Sequence, residues 1–280
     1  MEVRKVTIEE LKRKKREGRK ITMLTAYDYP MARLVDDAGI DVILVGDSLG
    51  MVVLGYDSTL PVTMDDMIRH AQAARRGTKA ALLVGDMPYK SYDNERDAVR
   101  NAARFMKEAS CDAVKLEGGT ESIEAAEAII KAGIPVMGHL GLTPQSIEKL
   151  GGYKVQGKTA EAARVIMEDA QKLERAGCFS IVLECVPGEI ASLITKRLTI
   201  PTIGIGAGAD CDGQVLVIND VVGLFDRFLP KFVKQYAKIS PLISNALKRY
   251  KEEVERGIFP DEAHSFAIKE DELEKLKKKQ

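Results

Sequence analysis

The sequence contains few cysteines, only Cys111, Cys178, Cys185 and Cys211 in 280 residues. They do not form the closely spaced pairs typical of structural zinc sites, and they are too sparse for a disulfide framework in a chain of this length. We therefore expect reduced cysteines that behave mainly as small buried hydrophobic residues.

The chain also lacks an excess of charge of either sign. Its 42 Lys and Arg residues balance 42 Asp and Glu residues, so the formal net charge is zero. This balance removes the global electrostatic argument for nucleic acid or an anionic membrane as a partner. No hydrophobic run approaches the roughly 18–20 residues of a membrane span, and the charged N-terminus has no signal-peptide core. We expect a soluble, cytoplasmic protein.

Eight short hydrophobic runs rich in Val, Ile and Leu recur along the chain. They lie at 21–28, 38–48, 81–88, 110–119, 132–141, 176–185, 200–208 and 214–220. Hydrophobic runs without polar alternation are typical of parallel strands that are buried on both faces. Several intervening segments have the periodicity of amphipathic helices. These segments are 62–77, 93–109, 121–132 and 158–176.

Strands that alternate with helices predict a parallel sheet, either closed or open. Eight units in 280 residues leave room for a (β/α)8 barrel with little spare chain. A doubly wound sheet that binds a dinucleotide is disfavoured because no G-x-G-x-x-G follows an early strand. We predict a single (β/α)8 (TIM) barrel domain over residues 1–280, with helical additions at 1–20 and 231–280.

The two ends of the chain are interpreted as additions to the barrel. Thr7 and Glu10 have the spacing of a capping box, which would begin a helix carrying the KRKKR run at 12–16. At zero net charge we interpret this run as a solvated helix face rather than a nucleic-acid site. Residues 231–257 are expected to form further helices, and residues 271–280 a frayed, charged tail.

Polar residues that follow the hydrophobic runs are the candidate active-site residues, because barrel enzymes gather their catalytic groups at the carboxyl ends of the strands. They are Asp28, Asp47, Ser48, Asp86, Lys115, Glu117, His139, Glu184 and the glycine loop 204–208. Several carboxylates that converge in one barrel mouth repel one another unless a cation neutralises them.

Asp47, Asp86 and Glu117 follow three consecutive strands of the predicted barrel. Neighbouring strands lie about 4.8 Å apart, so these side chains can share one ion. An all-oxygen ligand set favours Mg²⁺ or Mn²⁺. The alternative is that each acid caps a helix or binds backbone N–H groups, which explains one acid more readily than all three.

Glu184 ends a strongly hydrophobic run and is the candidate proton acceptor, because a carboxylate partly removed from water is a stronger base. The alternative for Glu184 is a buried ion pair, for example with Lys115. Lys115 is a candidate for stabilising an oxyanion or a substrate carboxylate, and nearby acids disfavour a Schiff-base role. His139 is the only histidine at a strand end, and a structural role is as plausible for it as a catalytic one. The glycine loop is a weak anion-binding signal.

Nine stretches, in this order, carry a resemblance to a known family. They are MLTAYDYPMA (23–32), VGDSLGMVVLGYDSTLPVTMDDM (45–67), GDMPYKSY (85–92), AVKLEGG (113–119), GHLGLTPQS (138–146), GGYKVQGKT (151–159), LECVP (183–187), IGIGAGADCDGQVLV (203–217) and PKFVKQY (230–236). Together they resemble the ketopantoate hydroxymethyltransferase family of the phosphoenolpyruvate/pyruvate barrel superfamily.

This resemblance implies transfer of one carbon from 5,10-methylenetetrahydrofolate, or a related pterin, to 3-methyl-2-oxobutanoate, giving 2-dehydropantoate on the route to pantothenate and coenzyme A. It implies a Mg²⁺ site at Asp47, Asp86 and Glu117, and keto-acid binding by Asp47, Ser48, Asp86 and Lys115. The proton acceptor falls at Glu184, and His139 is expected to hydrogen-bond nearby. The resemblance also implies a homo-oligomer, commonly a decamer of two pentamers.

Two other functions remain as alternatives. One is a metal-dependent lyase or mutase of the same superfamily, which would make or break a C–C bond beside a keto acid. The other is a non-catalytic barrel that senses a metabolite, which would leave the strand-end acids and Glu184 without a role.

Overall fold

Eight parallel strands close into a barrel in the order β1 to β8, in the computed structural model, which describes residues 4–147, 151–225 and 227–278. The strands are β1 Ile21–Thr25, β2 Val42–Val45, β3 Leu82–Asp86, β4 Ala113–Lys115, β5 Val136–Gly141, β6 Ser180–Glu184, β7 Thr202–Ile205 and β8 Gly213–Leu216. Each strand pairs with the next, and β1 pairs with β8. The (β/α)8 barrel prediction is confirmed, and each hydrophobic run contains one strand or most of it.

The helices of the described residues connect these strands and extend both ends. They are α1 Ile8–Arg16, α2 Tyr29–Asp37, α3 Leu49–Val52, α4 Met64–Gly77, α5 Glu95–Ala109, α6 Ile123–Lys131, α7 Ala160–Ala176, α8 Gly188–Arg197, α9 Ile218–Val221, α10 Ile239–Glu255 and α11 Glu270–Lys277. The four helical segments predicted from periodicity correspond to α4, α5, α6 and α7, each starting two residues later than predicted. None of the helices in these ranges is long and apolar enough to cross a membrane.

Hydrophobic side chains pack on both sides of the barrel wall. Alternate strand residues such as Leu44, Val84 and Val182 fill the barrel interior, whereas their neighbours such as Ile43 and Leu83 pack against the surrounding helices. Gly85 on β3 is needed for this packing, because a Cβ atom there would lie 2.3 Å from the ring of Phe105 on α5. Burial on both faces explains why the strand runs carry no polar alternation.

Helix α1 closes the amino end of the barrel, which corrects the interpretation of its basic run. Leu11 is fully buried among the interior side chains. Lys14 pairs with Asp41, and Lys15 lies 2.7 Å from Asp212, with all four side chains largely buried. The expected solvated face is therefore wrong for Lys14 and Lys15, because their acidic partners are distant in sequence and invisible to local patterning.

The capping box predicted for α1 is only half present. Thr7 accepts a hydrogen bond from the backbone N–H of Glu10, as expected for an N-cap. The Glu10 side chain pairs with Arg13 and Arg4 instead of reaching back to Thr7. A complete capping box is present instead at Thr63 and Asp66, at the start of α4.

The C-terminal region differs in detail from the expectation. Residues 231–238 form a turn followed by irregular backbone rather than a helix, and α10 begins at Ile239. Residues 270–277 form α11 instead of a frayed tail. Neither α10 nor α11 contains a buried residue, so both helices lie outside the barrel core of this single chain.

Candidate active site

The carboxyl ends of five consecutive strands surround one cavity of about 410 Å³. Asp86, Lys115 and Glu184 are the last residues of β3, β4 and β6, and Asp47 and Glu117 follow β2 and β4 by two residues. His139 lies within β5. The seven site residues implied by the family resemblance all line this cavity, including Ser48 at the start of α3. The parallel barrel therefore brings the predicted set together, and their chemical roles remain predictions.

A chain of charged groups crosses the cavity floor. The Lys115 Nζ atom lies 2.7 Å from Asp86 Oδ1 and 3.5 Å from Glu117 Oε1. His139 Nδ1 lies 3.3 Å from Glu117 Oε1, and His139 Nε2 lies 3.2 Å from Glu184 Oε2. The ion-pair alternative for Glu184 therefore finds His139 as its neighbour rather than Lys115.

Burial and mutual repulsion act on the acids of this chain. Burial, followed by the charges of Asp86 and Glu117, raises the pKa of Asp47 well above its usual range. The pKa of Asp86 is also raised, mainly by burial. For Glu117, burial acts in the same direction, but the charges of Lys115 and His139 outweigh it and lower the pKa. The site therefore holds more buried negative charge than its own cations neutralise.

The neighbouring acids raise the pKa of both basic groups. Burial acts to lower the pKa of Lys115, but Asp86, Glu117 and Asp47 raise it above its ordinary value. Burial and Lys115 act to lower the pKa of His139, whereas Glu117 and Glu184 outweigh them and raise it to about 9. His139 therefore lies between two glutamates, with its Nδ1 atom also 3.2 Å from the Lys115 Nζ atom, and its position beside Glu184 suits it to orient that carboxylate.

The donor chemistry of the site fits a hard divalent cation. Asp47, Asp86 and Glu117 supply oxygen atoms alone, and the buried Asp86 Oδ1 has no aligned hydrogen-bond donor. Within the described ranges, no three His, Cys, Asp or Glu side chains are already arranged as a ligand set. The ammonium group of Lys115, between Asp86 and Glu117, supplies positive charge to these acids in this conformation.

Gln145 joins two of the acids and was missed by the sequence analysis. Its side-chain amide donates to Asp47 Oδ2 at 2.8 Å and to the Met87 carbonyl at 3.0 Å. Its backbone N–H donates to Glu117 Oε2 at 3.0 Å, and the Tyr92 hydroxyl donates to its Oε1 at 2.6 Å. Gln145 lies in the loop after β5, where a neutral side chain away from a strand end gives no pattern to detect.

Ser48 and Asp28 show opposite outcomes for two strand-end candidates. The Ser48 hydroxyl faces the cavity, with its Oγ atom 2.8 Å from the hydroxyl oxygen of Tyr27. Asp28 is exposed and caps α2 by accepting a hydrogen bond from Met31 N–H, so it is not a residue of the cavity. For Asp28 the structural interpretation as a helix cap is the correct one.

The other three strands give the cavity a second, largely apolar side. Ile205 of β7, Leu216 of β8 and the rings of Phe225, Phe228 and Phe232 line it. The glycine loop 204–208 does not leave open backbone here, because a Cβ atom at Gly206 would lie 2.7 Å from the Phe232 ring. The glycine therefore serves the packing of Phe232.

Sequence comparisons identify relatives along nearly the whole chain. The profile of a family described as ketopantoate hydroxymethyltransferase matches residues 5–262. A 3-methyl-2-oxobutanoate hydroxymethyltransferase from Syntrophomonas wolfei is 59% identical over 273 residues, covering 97% of this chain and 99% of the relative. An enzyme of the same name from Acetivibrio thermocellus is 58% identical over 267 residues, covering 94% of each chain.

Solved structures with the same barrel are much more distant in sequence. A phosphonopyruvate hydrolase, crystallised with oxalate and Mg²⁺, superimposes with a TM-score of 0.60 at 13% identity, covering 97% of this chain and 96% of the other. A 2,3-dimethylmalate lyase of the PEP mutase/isocitrate lyase superfamily gives 0.57 at 14% identity, covering 97% and 98%. At such low identity, the likeness shows the fold alone.

Proposed function

Because the chain belongs to the ketopantoate hydroxymethyltransferase family of enzymes, we propose that it transfers a hydroxymethyl group to 3-methyl-2-oxobutanoate. The donor is 5,10-methylenetetrahydrofolate or a related pterin, the product is 2-dehydropantoate, and the reaction is the first step towards pantothenate and coenzyme A. The observation that carries this proposal is the convergence of three carboxylates, Lys115, His139 and Glu184 in one cavity of suitable size.

The polar side of the cavity would bind the keto acid. Lys115 and Ser48 hold its carboxylate through a buried ammonium and a hydroxyl. Asp47, Asp86 and Glu117 would hold Mg²⁺, or Mn²⁺ or another divalent ion. That ion supplies Lewis acidity, which makes the C3 proton of the bound keto acid more acidic.

Glu184 accepts the C3 proton of the keto acid, and the His139 imidazole orients the Glu184 carboxylate from 3.2 Å away. The carbon nucleophile formed at C3 then attacks the one-carbon unit of the donor. The two C–N bonds between the one-carbon unit and the pterin break, and water supplies the oxygen of the new hydroxymethyl group. The C3 proton taken by Glu184 and one proton of the water end on N5 and N10 of the tetrahydrofolate that leaves. The apolar side of the cavity excludes bulk water from the nucleophile while the donor approaches.

Product formation tests this proposal. The enzyme is incubated with Mg²⁺, 3-methyl-2-oxobutanoate and 5,10-methylenetetrahydrofolate, and 2-dehydropantoate is followed by mass spectrometry. We expect formation of 2-dehydropantoate that stops with EDTA and in Glu184→Gln but persists in Glu189→Gln, which removes an exposed glutamate outside the cavity. Cleavage of C4–C6 hydroxy diacids without 2-dehydropantoate formation would instead support the lyase alternative. Binding of the keto acid without any turnover would support the sensor alternative.

We further propose that the protein is a homo-oligomer, a decamer of two pentamers. Support comes from α10, where Leu242, Ile243, Leu247 and Tyr250 lie on one helix face and are all exposed in the single chain. A row of exposed hydrophobic side chains is typical of an interface between protein chains. A second copy of this chain is the expected occupant of this face.

A further inference from the structure

Asp220 is a buried carboxylate in the cavity wall that the mechanism does not use. It lies in α9, directly after β8, and lines the same cavity as the keto-acid site. Strands β7, β8 and β1 form the part of the barrel ring that carries none of the proposed metal or proton-transfer groups. Asp220 therefore lines the cavity on the side that Ile205, Leu216 and Phe225 also line, together with Lys231.

The backbone around Asp220 is fixed to the barrel. The Ile218 N–H donates to Thr25 Oγ1 of β1 at 3.0 Å, and the Asp220 N–H donates to the Val217 carbonyl at 3.1 Å. Asp220 is only 7% exposed. Its position is therefore set by the ends of β8 and β1 rather than by a loose loop.

The Asp220 carboxylate has no partner in the described part of the chain. Its oxygen atoms accept no hydrogen bond there, and burial alone raises its pKa to about 6. A carboxylate removed from water without donors is unfavourable, so a ligand that supplies donors to it would gain binding free energy. The open lining position of Asp220 points to a ligand in the cavity.

The keto acid does not provide a suitable partner. Its carboxylate and keto oxygens are hydrogen-bond acceptors, and the cations that suit them, Lys115 and His139, lie on the other side of the cavity. The one-carbon donor must enter the same cavity, because its methylene carbon has to reach C3 of the keto acid. A reduced pterin is flat and apolar on its faces, and its amino-pyrimidinone edge presents two adjacent N–H donors.

We propose that Asp220 recognises the pterin of the donor by accepting two parallel hydrogen bonds from its amino-pyrimidinone edge, while the surrounding hydrophobic side chains contact the ring. A carboxylate with two acceptor oxygens matches a pair of adjacent N–H groups. The apolar lining matches the faces of the ring. This inference rests on the proposed function, because it concerns the second substrate of that reaction.

Binding of tetrahydrofolate and its 2-deamino analogue, which lacks the exocyclic amino group, tests the inference. Isothermal titration calorimetry is performed on the full-length protein with Mg²⁺ and 3-methyl-2-oxobutanoate present. We expect the wild type to bind tetrahydrofolate at least tenfold more tightly than the analogue. Asp220→Asn should bind tetrahydrofolate at least tenfold more weakly and lose most of this discrimination. Asp210→Asn, which changes an exposed aspartate outside the cavity, should match the wild type.

Several results would overturn the inference. One is an Asp220→Asn variant that binds tetrahydrofolate with an affinity within twofold of the wild type. Another is an Asp220→Asn variant whose affinities for tetrahydrofolate and the 2-deamino analogue fall by the same factor. The last is a wild-type protein that binds tetrahydrofolate and the analogue with equal affinity. The last comparison needs no variant, so it remains decisive if Asp220→Asn does not fold. Failure of the proposed function would be seen separately. In that case the wild-type protein would neither exchange the C3 proton of 3-methyl-2-oxobutanoate with D₂O nor form 2-dehydropantoate. Loss of C3 exchange in Asp220→Asn would assign Asp220 to the keto acid and overturn the inference.

Discussion

Two buried carboxylates at the barrel mouth, Asp47 and Glu117, have pKa values that are shifted in opposite directions although the charge of Lys115 acts on both. The pKa of Asp47 is raised by burial and then by the neighbouring acids, whereas the pKa of Glu117 is lowered because the charges of Lys115 and His139 outweigh its burial. The sequence placed these acids correctly, since each follows a recognisable hydrophobic run. The direction of each pKa shift could not be predicted from the sequence, because it depends on contacts between residues of different strands. Gln145 could not be predicted either, because a neutral residue in a loop belongs to no recognisable sequence pattern.

Gln145 is predicted to position the acids that would hold the divalent ion. Gln145→Leu removes the amide that donates to Asp47, and we expect Mn²⁺ to bind about tenfold more weakly, as for lost hydrogen bonds to metal ligands in general. Electron paramagnetic resonance titration of Mn²⁺ measures this affinity directly, without turnover. The matched control is Gln171→Leu on α7, outside the cavity. An affinity within twofold of the wild type in Gln145→Leu would contradict the positioning role.

The buried carboxylate of Asp220 is predicted to lower the free energy of unfolding at neutral pH. Its pKa is about 6 in the folded protein and near 3.8 in the unfolded chain, so folding disfavours its charged form. The free energy of unfolding is unaffected by this group below about pH 4, falls as the pH rises from about 4 to about 6, and stays lowered above that pH. The shift corresponds to at most about 3 kcal/mol, and solvent in the open cavity reduces this to about 1 kcal/mol. Asp220→Asn should therefore raise the melting temperature at pH 7.5 but not at pH 4 in calorimetry. A destabilised variant at pH 7.5 would contradict this prediction.

At the scale of elements, the eight strands and four of the helices could be predicted because their signals are local. Hydrophobic runs mark strands buried on both faces, and a period of 3.6 marks α4 to α7. The basic run of α1 was misinterpreted for the opposite reason. Lys14 and Lys15 form ion pairs with Asp41 and Asp212, and these contacts exist only after the barrel has closed.

The buried ion pairs of α1 are predicted to stabilise the barrel. Lys15→Ala removes a partner of Asp212 and also a hydrogen bond to the Thr195 carbonyl. We expect a loss of about 2 kcal/mol in the free energy of unfolding, because Asp212 stays buried without its cation. Arg16→Ala, at an exposed position of the same helix, should change stability by less than about 0.5 kcal/mol. Denaturant unfolding followed by circular dichroism would contradict the account if the two variants were equally stable.

At the scale of the whole molecule, the exposed face of α10 is the feature that a single chain leaves unexplained. Leu242 is 68% exposed and Leu247 is 63% exposed, on a helix with no buried residue. The sequence predicted helices in this region but misplaced their start at 231. Nothing in the local pattern distinguishes a helix that covers its own barrel from one that covers a neighbour.

Charged substitutions on this face are predicted to dissociate the oligomer. A double variant, Leu242→Lys with Leu247→Lys, places two charges in the proposed interface, and we expect a smaller species by size-exclusion chromatography with light scattering. Lys251→Gln, at another exposed position of α10, should keep the wild-type mass. A wild-type protein that elutes as a monomer, or a double variant of unchanged mass, would contradict the oligomer proposal.

Exchange of the C3 proton of 3-methyl-2-oxobutanoate in D₂O, followed by proton NMR without any pterin, tests the central claim most directly. The claim is that Glu184 removes this proton, and that an ion held by Asp47, Asp86 and Glu117 would make the proton more acidic. The account predicts exchange with Mg²⁺, none with EDTA, and at least a hundredfold slower exchange in Glu184→Gln, in line with the loss of a general base. Glu189→Gln should exchange like the wild type. Undiminished exchange in Glu184→Gln, or exchange that is indifferent to EDTA, would contradict the account.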